Sequence, residues 1–250
     1  TGNNADQQRR WLIPEEYHYG TWIAERSCAL LDQYAENDES FFLWSSFFDP
    51  HPKYLVPEPW DTMYDPEVLT VPSIVEGEHE NNPPHFQMTQ EKNPDFSPYK
   101  SSGQSLHGFS SHLHDRAELA KDIACYYGMI SLMDKQIGQI LDKLDAIRLA
   151  ENTLIVFASD HGEEFWEHGL FGHIAPLFYN ERMQVPYIMY LPGVEPRTLP
   201  LSSHMDILPT IIDYCRPEEA FDLSAYVTGR SLLQPATAPV LATVAATGFP

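Results

Sequence analysis

A chain of 250 residues is long enough for one large domain, or most of one, with a sizeable core. Its formal charge of -21, from 36 Asp and Glu against 15 Lys and Arg, argues against a nucleic-acid partner, since phosphate backbones need clustered basic side chains. No run approaches about eighteen consecutive apolar residues, so nothing here reads as a membrane span, and the acidic excess reads as a solvated surface.

Hydrophobic content of 43%, 21 prolines and a mean hydropathy of -0.34 describe a globular chain with many ordered loops. The first ten residues are polar and carry no signal-peptide pattern. The absent start methionine reads as a fragment, so location stays open between periplasmic, secreted, lysosome-like and cytoplasmic. Oligomeric state is equally open. Cys28, Cys125 and Cys215 are too widely spaced for a disulfide framework or a zinc pattern, and read as small buried residues.

In chain order, Pro14-Glu15-Glu16 opens a helix expected to run to about residue 35, with Trp22, Ile23, Cys28, Leu30 and Leu31 at three- and four-residue spacings. Residues 41–48, nearly all apolar, read as a strand buried on both faces, stopped by Asp49-Pro50-His51-Pro52. Residues 53–112 form a long excursion rich in Pro, Asn, Ser and His. Its aromatic residues suggest an ordered passage over a site mouth. Residues 119–149 read as a long amphipathic helix, with Ile123, Tyr126, Tyr127, Ile130, Met133, Ile137, Ile140, Leu141 and Leu144 on one face. A buried strand follows at 154–158, another at 186–191, and a last helix from Ser203 to about Cys215. This alternation implies an α/β sandwich around a mostly parallel sheet.

The strand at 154–158 ends in Ser159-Asp160-His161-Gly162. Open α/β sheets place ligands beyond the carboxyl ends of their strands. Asp160 brings a hard oxygen and His161 an imidazole nitrogen, a pair suited to a divalent cation. His51, held between two prolines at another strand end, suits anion binding or proton transfer. His173 follows Gly172, which permits close approach of backbone to a ligand. His168 reads as structural or as support for a ligand. Glu163 and Glu164 could orient an imidazole, although solvated loop charge is the favoured reading. His79, His85, His107, His112 and His114 lie in the excursion and are weak candidates for substrate contact.

These residues resemble the sulfatases of the alkaline phosphatase superfamily. Asp49-Pro50-His51-Pro52 is similar to that family's Pro-His-x-Pro loop, and Tyr126-Tyr127-Gly128-Met129-Ile130 with Met133-Asp134 to its long helix. Ser159-Asp160-His161-Gly162-Glu163 resembles its metal-binding strand end. His204-Met205-Asp206-Ile207-Leu208-Pro209-Thr210 and Gly229-Arg230-Ser231-Leu232-Leu233 complete the order. The resemblance implies an alkaline-phosphatase-like sandwich, incomplete here. Residues 1–235 would be part of a sulfatase catalytic domain and 236–250 the start of a C-terminal region.

By the same resemblance, Asp160 and His161 would bind a divalent cation, usually calcium, with manganese or zinc as alternatives. His51 would contact the sulfate or handle a proton, and His173 would bind the anion where many members have lysine. The substrate would be a small-molecule or carbohydrate sulfate ester, cleaved with a formylglycine nucleophile. That residue arises from cysteine in a Cys-x-Pro/Ala-x-Arg setting, which none of the three cysteines has, so it is expected outside this segment. The segment alone is expected to be inactive. The alternatives are a phosphoryl or phosphonate ester hydrolase or transferase of the same superfamily, and a non-catalytic relic.

Overall fold

The computed structural model describes residues 9–73, 75–91, 94–99, 116–173, 179–199, 201–215 and 227–234. His107, His112 and His114, and the whole of 236–250, lie outside them. The chain forms two compact units, Thr1–Ile188 and Met189–Pro250.

The first unit is built on two helices. A 3-10 turn, Glu15–Tyr17, leads into α1, Tyr19–Asn37. Its N-cap is His18, whose ring nitrogen accepts from the Gly20 amide, and Asp38 ends it in the left-handed conformation. After the short α2, Pro84–Met88, comes α3, Arg116–Ala146. α1 and α3 pack together so closely that a Cβ on Gly20 would lie 2.3 Å from the Gln136 side-chain oxygen. Lys143 on α3 pairs with Asp32 on α1 at 2.9 Å.

The buried stripe of α3 departs only in part from the expected one, since Ile123 and Leu144 are buried as expected. Leu119, Ile123, Cys125, Met129, Leu132 and Gln136 are buried, whereas Tyr127, Ile130 and Leu141 are exposed. The helix uses its small residues as contact surface: Gly128 meets the carbonyl of Trp60, in the 3-10 turn Trp60–Thr62. Apolar spacing counted large side chains and so rotated the face. The core gathers Tyr54, Val56, Leu119, Ile123, Cys125, Met129 and Phe165, with Trp60, Tyr126 and Phe171 against it. Residues 54–71 of the excursion are therefore a packed layer on α3, with 3-10 turns at Trp60–Thr62 and Pro66–Val68.

Residues 41–48 correct the expectation of a buried strand. They run without strand pairing and alternate in exposure, with Phe42 76%, Trp44 78% and Phe48 57% exposed. An extended segment is buried on two faces only when layers cover both, and among the described residues one side is covered. Likewise β1, Ile155–Ala158, is half-buried rather than buried. β2, Glu164–Phe165, pairs antiparallel with β3, Phe171–Gly172, setting Glu164 opposite Gly172 and Phe165 opposite Phe171. A short α4, Asn180–Met183, precedes β4, Tyr187–Tyr190, the sheet neighbour of β1. β1 and β4 are the described strands of the expected main sheet. Among the described residues no helix is long and apolar enough to cross a membrane.

In the second unit, a 3-10 turn at His204–Asp206 leads into α5, Ile207–Cys215. Ser203 and Asp206 form a reciprocal capping box. The segment 229–233 lies along this helix. The Arg230 amide donates to Asp206, the Leu232 amide to Thr210, and the Ser231 hydroxyl to Asp213. Cys125 is buried as expected and Cys28 partly so, but Cys215 is exposed because it ends α5 away from its packed side.

Candidate anion and metal site

β1 delivers Ser159, Asp160 and His161 to a tight turn. The Ser159 hydroxyl donates to the His161 carbonyl at 2.8 Å, and the His161 amide to Asp160 Oδ1 at 2.9 Å. His161 Nδ1 lies 3.0 Å from the Gly162 carbonyl, which fixes the proton on Nδ1. The Nε2 lone pair is thereby left available, 3.6 Å from Asp160 Oδ2. The Asp160 side chain is 86% exposed. An open carboxylate beside an unprotonated imidazole nitrogen fits a divalent cation that takes further ligands from elsewhere.

Gly162 is required where it stands. Its amide donates to the Arg182 carbonyl at 2.9 Å, and a Cβ there would fall 1.9 Å from the Glu181 carbonyl oxygen. Close approach to a neighbouring strand of backbone thus belongs to Gly162. Arg182, on α4, also hydrogen-bonds the carbonyl of His173, so one turn of helix ties the two histidine segments together.

His51, His161 and His173 come together although the first is far from the others in sequence. Ring centroids lie 4.8 Å apart for His51 and His173, and 4.4 Å, stacked, for His161 and His173. His51 Nδ1 lies 2.5 Å from the Pro52 carbonyl, so its Nε2 is the free nitrogen. His173 Nδ1 lies 3.0 Å from Glu163 Oε2, and the Tyr54 hydroxyl donates to Glu163 Oε1 at 3.3 Å. Burial raises the Tyr54 hydroxyl far above its ordinary value, with Glu163 adding to the shift, so it stays a donor.

Glu163 corrects the favoured reading of a solvated charge: its side chain is 6% exposed and orients His173. A β2 partner pulls the following residue, Glu164, inward as well. Glu164 is 1% exposed, and burial pushes its carboxyl up to about 7 against the opposing effect of Arg182 and His168. Ligating atoms of His161, Glu163 and His173 lie within 4.8 Å of one another, a second grouping that could hold a cation and one that leaves out Asp160.

His168, His79 and His85 are structural. His168 lies between Glu78 and Glu181 and stacks on Tyr179 at 3.6 Å. His79, 1% exposed, bonds the His168 carbonyl at 2.6 Å and Asn82 at 2.9 Å. His85 is buried beside Phe86. A cluster under His51 had no sequence signal beyond its place before the Pro-His-Pro loop. Asp49 accepts a short hydrogen bond from Tyr19, and His18 Nε2 faces its other oxygen at 3.7 Å. Burial pushes the Asp49 carboxyl up to about 6 and lowers the His18 imidazole.

The general sulfatase model matches residues 3–215. A multifunctional alkaline phosphatase superfamily protein of Trinickia caryophylli, PehA, is 29% identical over 230 residues, 88% of this chain and 42% of that protein. An arylsulfatase of Clostridium perfringens is 29% identical over 220 residues, 84% of this chain and 41% of the relative. The chain thus spans about two fifths of the length of these relatives. Among solved structures, a phosphonate monoester hydrolase of Silicibacter pomeroyi superposes with a TM-score of 0.71 at 24% identity, covering 88% of this chain and 42% of that one. The chain belongs to the sulfatase family, and its α/β fold is part of the alkaline-phosphatase-like sandwich.

Proposed function

We propose that the whole protein hydrolyses a small-molecule or carbohydrate sulfate ester, releasing inorganic sulfate. The observation that carries this reading is the convergence of His51, His161 and His173 beside Asp160 at the end of β1. A divalent cation held by Asp160 and His161, calcium in the family's usual pattern, would stabilise charge on the transferring group. His51 presents Nε2 to the sulfate or the leaving oxygen. His173, fixed through Nδ1 by Glu163, turns its Nε2 toward the anion. With Glu163 accepting from Nδ1, protonation of Nε2 would give the positive donor that lysine supplies elsewhere in the family. The nucleophile, a formylglycine, is assigned to a residue outside this chain.

A phosphonate or phosphoryl ester hydrolase is the second reading. The likeness to a multifunctional superfamily protein favours it, as does the imidazole at the cation site, which suits manganese or zinc as well as calcium. Assays of the whole protein on an aryl sulfate and an aryl phosphonate monoester, with metal analysis, separate the two. Asp160→Ala is expected to lose bound metal and about 100-fold or more in kcat/KM. Full metal content and activity in Asp160→Ala would show the site assignment to be wrong.

A further inference from the structure

Asp49 sits two residues before His51 and is buried against the start of α1. Its side chain is 1% exposed, as buried as the His18 ring at 0%. The Tyr19 hydroxyl donates to Oδ1, and Oδ2 faces His18 Nε2 at 3.7 Å. His18 Nδ1 accepts from the Gly20 amide, so the neutral ring carries its proton on Nε2, aimed at Asp49. At 3.7 Å the two make a buried polar contact rather than a hydrogen bond, and the Leu55 backbone also bonds the His18 ring. Both residues come from the start of α1, which packs on α3.

Aromatic rings connect this cluster to the anion site. Trp11 meets His18 and Tyr19 edge-on, Phe48 meets Tyr19 edge-on at 5.8 Å, and Phe48 lies 4.6 Å from His51. The His51 amide also donates to the Phe48 carbonyl at 3.1 Å. Asp49 thus fastens the His51 turn to the helical frame through the Tyr19 hydroxyl. His51 itself is exposed and bonds its own neighbour, Pro52.

Resting on the hydrolase reading above, we propose that Asp49, held by the Tyr19 hydroxyl and buried against His18, is a positioning residue that sets where the His51 imidazole stands in the anion site. Its carboxylate accepts from Tyr19 with one oxygen and turns the other toward the His18 N–H. An asparagine would place an amide N–H against the His18 N–H and lose that hold while keeping its volume.

The test is a double-mutant cycle in the whole protein. Asp49→Asn and Tyr19→Phe are each made in the parent and in His51→Ala, with kcat and KM measured on both ester classes. Asp49→Asn is expected to lower kcat by about 10- to 100-fold in the parent, and by less than about twofold when His51 is already gone. An equal fall in both backgrounds would mean a general structural role and would overturn the proposal. Tyr19→Phe, which removes a single hydroxyl, gives the same comparison if Asp49→Asn does not fold. If the parent cleaves neither ester, the hydrolase reading fails, and the ring-nitrogen NMR signals of His51 decide alone. Signals moved or broadened by Asp49→Asn uphold the anchor, and unchanged signals overturn it.

Discussion

Gly162 is the residue on which the geometry of the site turns. It follows the Asp160-His161 pair and lets α4 come close enough for its Arg182 to bind the His173 carbonyl. A Cβ at 1.9 Å from the Glu181 carbonyl meets backbone, which cannot step aside as a long side chain can. Gly162→Ala is therefore expected to cost about 1–3 kcal/mol of stability. It should also raise KM by moving His173 relative to His161. Thermal melting and steady-state kinetics check the two parts, and an unchanged KM would mean that α4 does not position the anion site. Asp160 and His161 were legible as a pair because they are adjacent and end an apolar run. Glu163 was not, because its burial depends on Tyr54, 109 residues away.

Among the elements, α3 organises the first unit, and its two glycines carry opposite expectations. A Cβ on Gly128 would lie 2.4 Å from the Trp60 carbonyl and 3.2 Å from Val56. Gly138 has nothing within 4 Å. Gly128→Ala should destabilise by about 1–3 kcal/mol, and Gly138→Ala should stabilise by up to about 1 kcal/mol through helix propensity. Denaturant titrations of both variants give the comparison, and a stabilised Gly128→Ala would disprove the tight crossing at Trp60. The helices themselves were readable from spacing, with ends shifted by a few residues. The buried face of α3 was readable only in part, at Ile123 and Leu144, since close packing through Gly128 and Cys125 follows the shape of the partner.

At the scale of the whole molecule, a strongly acidic chain buries an acid without a full set of partners. Glu164 Oε1 has no hydrogen-bond partner, and its carboxyl is pushed from 4.5 up to about 7, with burial also raising Glu167. The folded protein therefore keeps a proton that the unfolded chain has released. Stability should fall as pH rises from about 4.5 to 7, by about 3 kcal/mol for Glu164. Glu164→Gln should flatten that part of the melting-temperature profile. A variant profile parallel to the parent's would rule Glu164 out as the source.

By itself the sequence determined what is local: an apolar run ending in Asp160-His161, a stiff Pro50-His51-Pro52 turn, two long helices and a family order of motifs. Tertiary structure alone decided which distant groups meet. The contact of His51 with His173, the bond of Tyr54 to Glu163 and the burial of Asp49 between His18 and Tyr19 all join segments far apart in the chain. Spacing encodes which face of an element is apolar, whereas these contacts depend on how faces pack in three dimensions. The same reason explains residues 41–48: their composition is that of a core strand, but burial requires a covering layer, and composition cannot supply one.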